Sequence, residues 1–311
     1  MGAAIYAVHT GDTAKRRNQS YNVVGLRSKV AAVLGTTADD IRIVDLAVNP
    51  LSGKVYLSVA RGSGPDANAA ILVLDASEEL SELSLAGTKL SKAELPNSPK
   101  SEQTRRGNRR MMTVTDIAYL DGQVIIAGLS NEEFASKLHY LDFPFREVGS
   151  GASVEIFHGA HGKVETRSPI MTFCGYTFEK VPHVMAAYTC TPLVAFPVSD
   201  LEPGTKVRGK TVAELGNRNR PLDMFVYRKD GRDYILMANS NRGMMKISLE
   251  DIGSNKEITE HVSGGDTAGL PYDTLEDWQG VHQLDRFDED HALVLIKQAD
   301  GSVNLLTKQL P

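Results

Sequence analysis

Four ionisable residues stand at one point of a recurring phrase. Asp45, Asp116, Asp223 and His282 each open an apolar run, in Val44-Asp45-Leu46, Thr115-Asp116-Ile117, Leu222-Asp223-Met224 and Val281-His282-Gln283. Thr172, in Met171-Thr172-Phe173, holds the fifth such place. If these positions gather around one opening, three carboxylates and a histidine repel one another unless a cation or protons lie between them. Oxygen ligands with one imidazole suit a hard or borderline divalent ion such as calcium or zinc. Asp45, Asp116, Asp223 and His282 are thus candidate metal ligands in a central channel. His282, Asp223 and Asp116 are candidate catalytic groups, with His282 as proton shuttle because imidazole changes charge near neutral pH. A structural reading stands beside this one: each Asp pairs with an arginine or accepts backbone N–H groups at a tight turn.

A second set of polar residues closes the following strands or precedes the phrase. Arg61, Asn239, Asn241 and Arg242 fall at strand ends, and Arg167 and Arg220 lie ahead of the phrase. Guanidinium groups hold carboxylates or phosphates by paired hydrogen bonds, so Asp45 and these six residues are candidate ligand contacts for a small anionic molecule. A hairpin centred on Gly53 makes residues 45 and 61 cross-strand partners, an opposite-charge pair worth roughly 0.2–1 kcal/mol.

These residues are positioned by a repeat. After each phrase comes a turn and a second apolar strand: Val55–Ala60, Val124–Gly128, Val184–Tyr188, Tyr234–Ala238 and Ala292–Ile296. Asp121-Gly122 and Asp230-Gly231 are hairpin signals. Third and weaker fourth strands follow, the fourth including Leu80–Leu85, Val154–His158, Thr211–Leu215 and Ile258–Val262. Such periodicity predicts an all-β chain, a β-propeller of five or six blades of four-stranded antiparallel sheets in one domain spanning 1–311. Residues 3–9 read as a blade strand, so the chain opens in mid-blade. Either the termini share that blade, or an upstream part is missing. Residues 24–35 carry Leu26, Val30, Val33 and Leu34 at helical spacing with Gly35 after them, a helical insertion. Residues 88–110 read as a long basic inter-blade loop.

Pro50…Gly53-Lys54-Val55-Tyr56 and Asp230-Gly231-Arg232-Asp233-Tyr234 through Asn239-Ser240 resemble the phrases of YVTN-type and NHL-type propellers. The resemblance runs from about residue 41 to the end. It implies the fold. It does not choose among the lactonases, lyases, dehydrogenase subunits and binding scaffolds that such families hold.

Other motifs are weaker. His158-Gly159-Ala160-His161 has a spacing that metal ligands use, with no third ligand apparent, and reads as a solvated loop. His183 reads as a hairpin-turn residue. Cys174 and Cys190 are equidistant from Pro182 and either face each other as a disulfide or stay as two thiols. Arg105-Arg106-Gly107-Asn108-Arg109-Arg110 lacks interleaved aromatics and reads as a solvated loop or an approach for an anionic partner. Haem-attachment, phosphate-loop, nucleophile-elbow and dinucleotide motifs are absent.

Among 311 residues, 34 Lys and Arg against 39 Asp and Glu give a net charge of -5, which argues against a nucleic-acid partner. Apolar runs fall short of the ~20 residues of a membrane span. A missing leader would place the protein in the periplasm or outside the cell; without one it is cytoplasmic. The leading functional expectation is a propeller that binds a small ligand or a protein partner at the channel mouth. The alternatives are a metal-assisted, lactonase-like hydrolase or lyase acting on a small anionic substrate, and a structural subunit of a larger complex.

Overall fold

Alternating side chains decide the strands. In Val55–Arg61, Val55, Leu57 and Val59 are buried while Tyr56 and Ser58 are not, the period of two that a strand imposes. Other middle strands bury consecutive residues, as in Gln123–Leu129, Val181–Tyr188 and Arg232–Asn239, because both of their faces are covered. Tight turns connect them. Glu179 and Lys180 both have positive φ (51° and 66°), as do Asp230 and Gly231 (50° and 79°), the backbone that two-residue hairpins require.

The computed structural model describes residues 2–15, 19–64, 67–104, 107–120, 122–145, 148–190, 192–263 and 265–311. The chain is all-β, with a five-blade propeller arrangement of small antiparallel sheets. By contacts it forms two units, Val8–Leu90 with Glu276–Pro311, and Gly2–Ala7 with Ser91–Leu275. Among the described residues no helix is long and apolar enough to cross a membrane.

The first unit holds two sheets. The first sheet is Ile41–Val48, Val55–Arg61, Asn68–Leu74 and Leu80–Glu82 in chain order. The fifth is Val281–Arg286, His291–Lys297 and Val303–Gln309, completed by Asn22–Val23 from the start of the chain. The shared blade is therefore closed by residues 22–23. Residues 4–8, expected in a blade, pair instead with Leu90–Glu94 as a two-stranded ribbon. The helix Leu26–Val33 buries Leu26, Val30 and Ala31 in the same core as Leu57, Leu72, Leu293 and Leu305, and ends at Gly35 with φ of 62°.

The second unit holds three sheets. The second sheet runs Asp116–Leu120, Gln123–Leu129, Ser136–Asp142, Ala152–His158 and Lys163–Glu165, with Lys206–Arg208 parallel to Ala152–His158. The third is Ile170–Phe178, Val181–Tyr188, Pro192–Pro197, Lys210–Leu215 and Thr267–Gly269. The fourth is Pro221–Lys229, Arg232–Asn239, Gly243–Ser248 and Tyr272–Leu275. Its last strand was expected at Ile258–Val262. That segment is irregular because its N–H groups go elsewhere, Ile258 to Thr211 O in the third sheet and Val262 to Gly159 O in the turn after Ala152–His158.

Three expectations fail on register. The first hairpin pairs Val48 with Val55, and a bulge at Val44 sets Asp45 opposite Ser58 and Ile41 opposite Arg61, so 45 and 61 are not partners. The third-sheet hairpin turns at Glu179-Lys180 and not at Pro182, so Cys174 faces Met185, His183 lies within a strand, and both cysteines are free. Bulges also fall at Met171, Leu222 and His282. His282 therefore matches Val44, the bulged residue, and Gln283 holds the place of Asp45 and Asp223.

The long segment 88–110 contains Leu90–Glu94 and the ribbon Gln103–Thr104 with Gly107–Asn108. Arg105, Arg106 and Asp121 lie outside the described residues. Arg110 is held by Ser98 Oγ and Pro99 O.

The first strand of a sheet is an edge, and half of its N–H groups lack a ladder partner. Carboxylates accept them. Asp116 takes the N–H of Ile117 at 2.7 Å and that of Phe173, in the third sheet's first strand, at 2.8 Å. Asp285 takes Arg286 N–H and, in the first sheet's first strand, Val48 N–H, both at 2.7 Å. Asp45 and Asp223 accept the next residue's N–H in the same way, each at 2.8 Å.

Burial pushes Asp116 up to about 6, against the pull of these N–H donors. An acid raised in the fold from about 3.9 contributes stability that is complete below about pH 4 and is lost as pH rises through about 6. Asp116→Asn keeps one acceptor and removes that titration. Urea denaturation from pH 4 to pH 7 should show the variant's deficit against the parent shrinking as pH rises; a constant deficit would contradict the assignment.

Candidate functional site

The expected site residues are divided between the two units. Asp45, Arg61 and His282 belong to the first. Arg61 is exposed and reaches Leu34 O at 3.3 Å. His282 is half-buried; burial lowers its pKa, and its Nδ1 has no hydrogen-bond partner among the described residues.

In the second unit, Asp116 and Asp223 both act on the buried Cys174. Its thiol is raised far above its ordinary value by burial first, then by these two carboxylates. Arg167 donates to Glu133 O at 3.2 Å.

Asn239, Asn241, Arg242 and Arg220 come together at the turn after Arg232–Asn239. Asn239 is buried, and its Oδ1 accepts the N–H groups of Asn241 and Arg242, each at 3.1 Å. That pattern ties the turn to the strand end. Asn239 Nδ2 donates to Asn219 Oδ1 at 3.2 Å, and Asn219 Nδ2 donates to Gly216 O at 2.7 Å. Arg220 and Ser240 exchange hydrogen bonds, with Arg220 N donating to Ser240 Oγ and Ser240 N donating to Arg220 O. Arg242 lies across Gly216, where a Cβ would meet Nη2 at 2.1 Å. Arg27, Arg208, Arg228 and Arg232 each reach a carboxylate. Arg218, Arg220 and Arg242 have none among the described residues, a state they share with Arg42, Arg61 and Arg167.

The His158–His161 segment, expected as a solvated loop, forms a second cluster. His158 is buried, not solvated, and a third group stands beside the two histidines: Glu165. His158 Nδ1 and Glu165 Oε2 are 3.1 Å apart, and His161 Nδ1 and Glu165 Oε1 are 2.7 Å apart. The imidazole centroids lie 3.8 Å apart. The Ser168 hydroxyl donates to the same carboxylate. Burial would raise Glu165, but the hydrogen bonds of His158, Ser168 and His161 outweigh it and hold the acid well below its usual range. The spacing of Glu165, four residues after His161, was visible in the sequence. The pairing of Ala152–His158 with Lys163–Glu165, which folds Glu165 back, was not.

Glu214 joins the two clusters. It accepts the Gly159 N–H, while Gly216 under Arg242 is two residues further on, roughly 7 Å along a strand. Burial pushes Glu214 up to about 7; the N–H groups of Gly159 and Ala160 lower it and the charge of Glu165 raises it.

No family model matches the chain, and no curated protein does. Solved structures similar to it include a GH43 glycoside hydrolase (9% identity, TM-score 0.43), 88% of this chain against 51% of that one, so the chain spans about half its length. A putative glycoside hydrolase from Parabacteroides distasonis aligns over 100% of this chain and 98% of its own at 9% identity and TM-score 0.43. The PQQ-bound aldose sugar dehydrogenase of Streptomyces coelicolor aligns over 86% and 96% at 11% identity and TM-score 0.36.

Gly216→Ala tests the packing of Arg242. Both Gly216 (φ 89°) and Gly231 (φ 79°) have left-handed backbone, but a Cβ at Gly231 meets nothing within 4 Å. Gly231→Ala should cost on the order of 1–2 kcal/mol, and Gly216→Ala clearly more in urea denaturation. Equal losses would mean that Arg242 moves aside freely.

Proposed function

We propose that this chain is a ligand-binding propeller for a small anion bearing a carboxylate or phosphate. The Arg242 corner is the seat. The observation that carries the reading is a guanidinium packed across Gly216, on a residue whose backbone N–H is held by the buried Asn219–Asn239 amide pair, without a carboxylate of its own among the described residues. The guanidinium, whose Nη2 also donates to Asn217 O at 3.5 Å, keeps further N–H groups to offer an anion at little further ordering cost. Arg218 and Arg220 add positive charge beside it. Asn239 and Asn241 act as positioning residues through the turn.

The metal-assisted hydrolase or lyase reading draws on Glu214, whose carboxyl changes charge near neutral pH between the histidine cluster and this corner. A group held there suits general acid or base work.

Thermal shift in phosphate, citrate and sulfate tests the binder. The parent should be stabilised in a saturable way, Arg242→Lys partly, and Arg242→Ala not at all, with Arg228→Ala as a surface control that keeps the effect. An equal shift in Arg242→Ala would overturn the assignment.

A further inference from the structure

We infer that His158, His161 and Glu165 form a binding site for one zinc-type divalent metal ion. The three residues offer ligand atoms that all lie within 4.8 Å of one another. Zinc bonds of about 2.0–2.1 Å in tetrahedral array put neighbouring donors about 3.3 Å apart. The observed separations are 3.1 Å from His158 Nδ1 to Glu165 Oε2 and 2.7 Å from His161 Nδ1 to Glu165 Oε1, so side-chain adjustments of about an ångström bring the three donors to the spacing an ion requires. In the protein alone the Glu165 carboxylate bridges two imidazoles, the arrangement that a cation replaces when it takes the place of the shared protons.

The donor set selects the ion. Two imidazole nitrogens and one carboxylate oxygen suit zinc, cobalt or nickel, whereas calcium and magnesium want oxygen shells. Three protein ligands leave a fourth position open. The open side faces solvent, because the His161 side chain is 45% exposed while those of His158 and Glu165 are 2% and 13% exposed. Lys163 Nζ lies 3.7 Å from Glu165 on a side chain 65% exposed, free to swing into water when an ion enters.

Two further observations point to a ligand. His158 Nε2 and Glu214 Oε2 are buried polar atoms without a hydrogen-bond partner among the described residues. They flank the same short segment, since Glu214 holds the Gly159 N–H directly after His158. Buried polar atoms call for a partner, and an ion's outer ligands or waters would supply one to both of these. The Ser168 hydroxyl on Glu165 already provides one outer contact that orients a ligating carboxylate.

The full-length chain, stripped with chelator and dialysed, is titrated with zinc and, in parallel, with cobalt. Calorimetry and elemental analysis should give one zinc per chain, and cobalt should produce the strong visible bands of a four-coordinate nitrogen and oxygen site. His161→Ala, the exposed ligand and the variant least able to disturb folding, should weaken zinc binding by more than about a hundredfold, because even outer-shell partners are worth about 10–100-fold. Glu165→Gln should do the same. His261→Ala, beside Gly162, should change nothing, and Arg242→Ala should bind zinc normally, which separates this site from the anion corner. One-to-one binding that survives in both His161→Ala and Glu165→Gln, with circular dichroism showing both variants folded, would overturn the proposal, as would a parent chain that takes up no zinc.

Discussion

A strand that lies at the edge of its sheet has donors to satisfy, and this chain satisfies them with carboxylates. Asp116 and Asp285 each hold two N–H groups, one from their own strand and one from the first strand of another sheet. Sheets that face each other through side chains alone share no ladder. A short charged side chain that accepts from both backbones gives such an edge direction and register. The cost is desolvation, visible in the raised pKa values of Asp116 and Asp285, both pushed up to about 6 by burial. Four N–H donors offset part of that cost, as hydrogen bonding to the charged form should.

This constraint bears on the site chemistry. A carboxylate whose oxygens are taken by backbone donors has little left for an ion. The fold leaves other polar groups less completely engaged. Arg242 stands without a carboxylate above Gly216, and the histidines share a single carboxylate with two orphaned atoms buried nearby. Both places lie where a strand ends and the chain turns, the parts of a repeat protein freest to carry function. One strand, Lys210–Leu215, touches both, through Glu214 on one side and the following Gly216 on the other.

Much of the architecture was legible. The helix Leu26–Val33, the two-residue turns and the middle strands follow from spacing, glycine placement and apolar runs, which act within a few residues. The site was less so. The motif His158-x-x-His161 was legible, but its reading as solvated loop failed because burial of His158 is decided by the sheets around it. The Cys174–Cys190 symmetry failed on a turn placed three residues early, and the Asp45–Arg61 pair failed on the bulge at Val44. One inserted residue moves every later partner to the opposite face.

What the chain order alone determined was the set of strands, their repeat and the residue types at their ends, because alternation and turn chemistry are local properties. What tertiary structure decided was which of those ends meet. Register, bulges and the fold-back of Lys163–Glu165 depend on packing between segments distant in sequence. Such contacts set the burial of His158, the pairing of Asp116 with Phe173 N–H and the seat of Arg242, and no short stretch of sequence contains both halves of any of them.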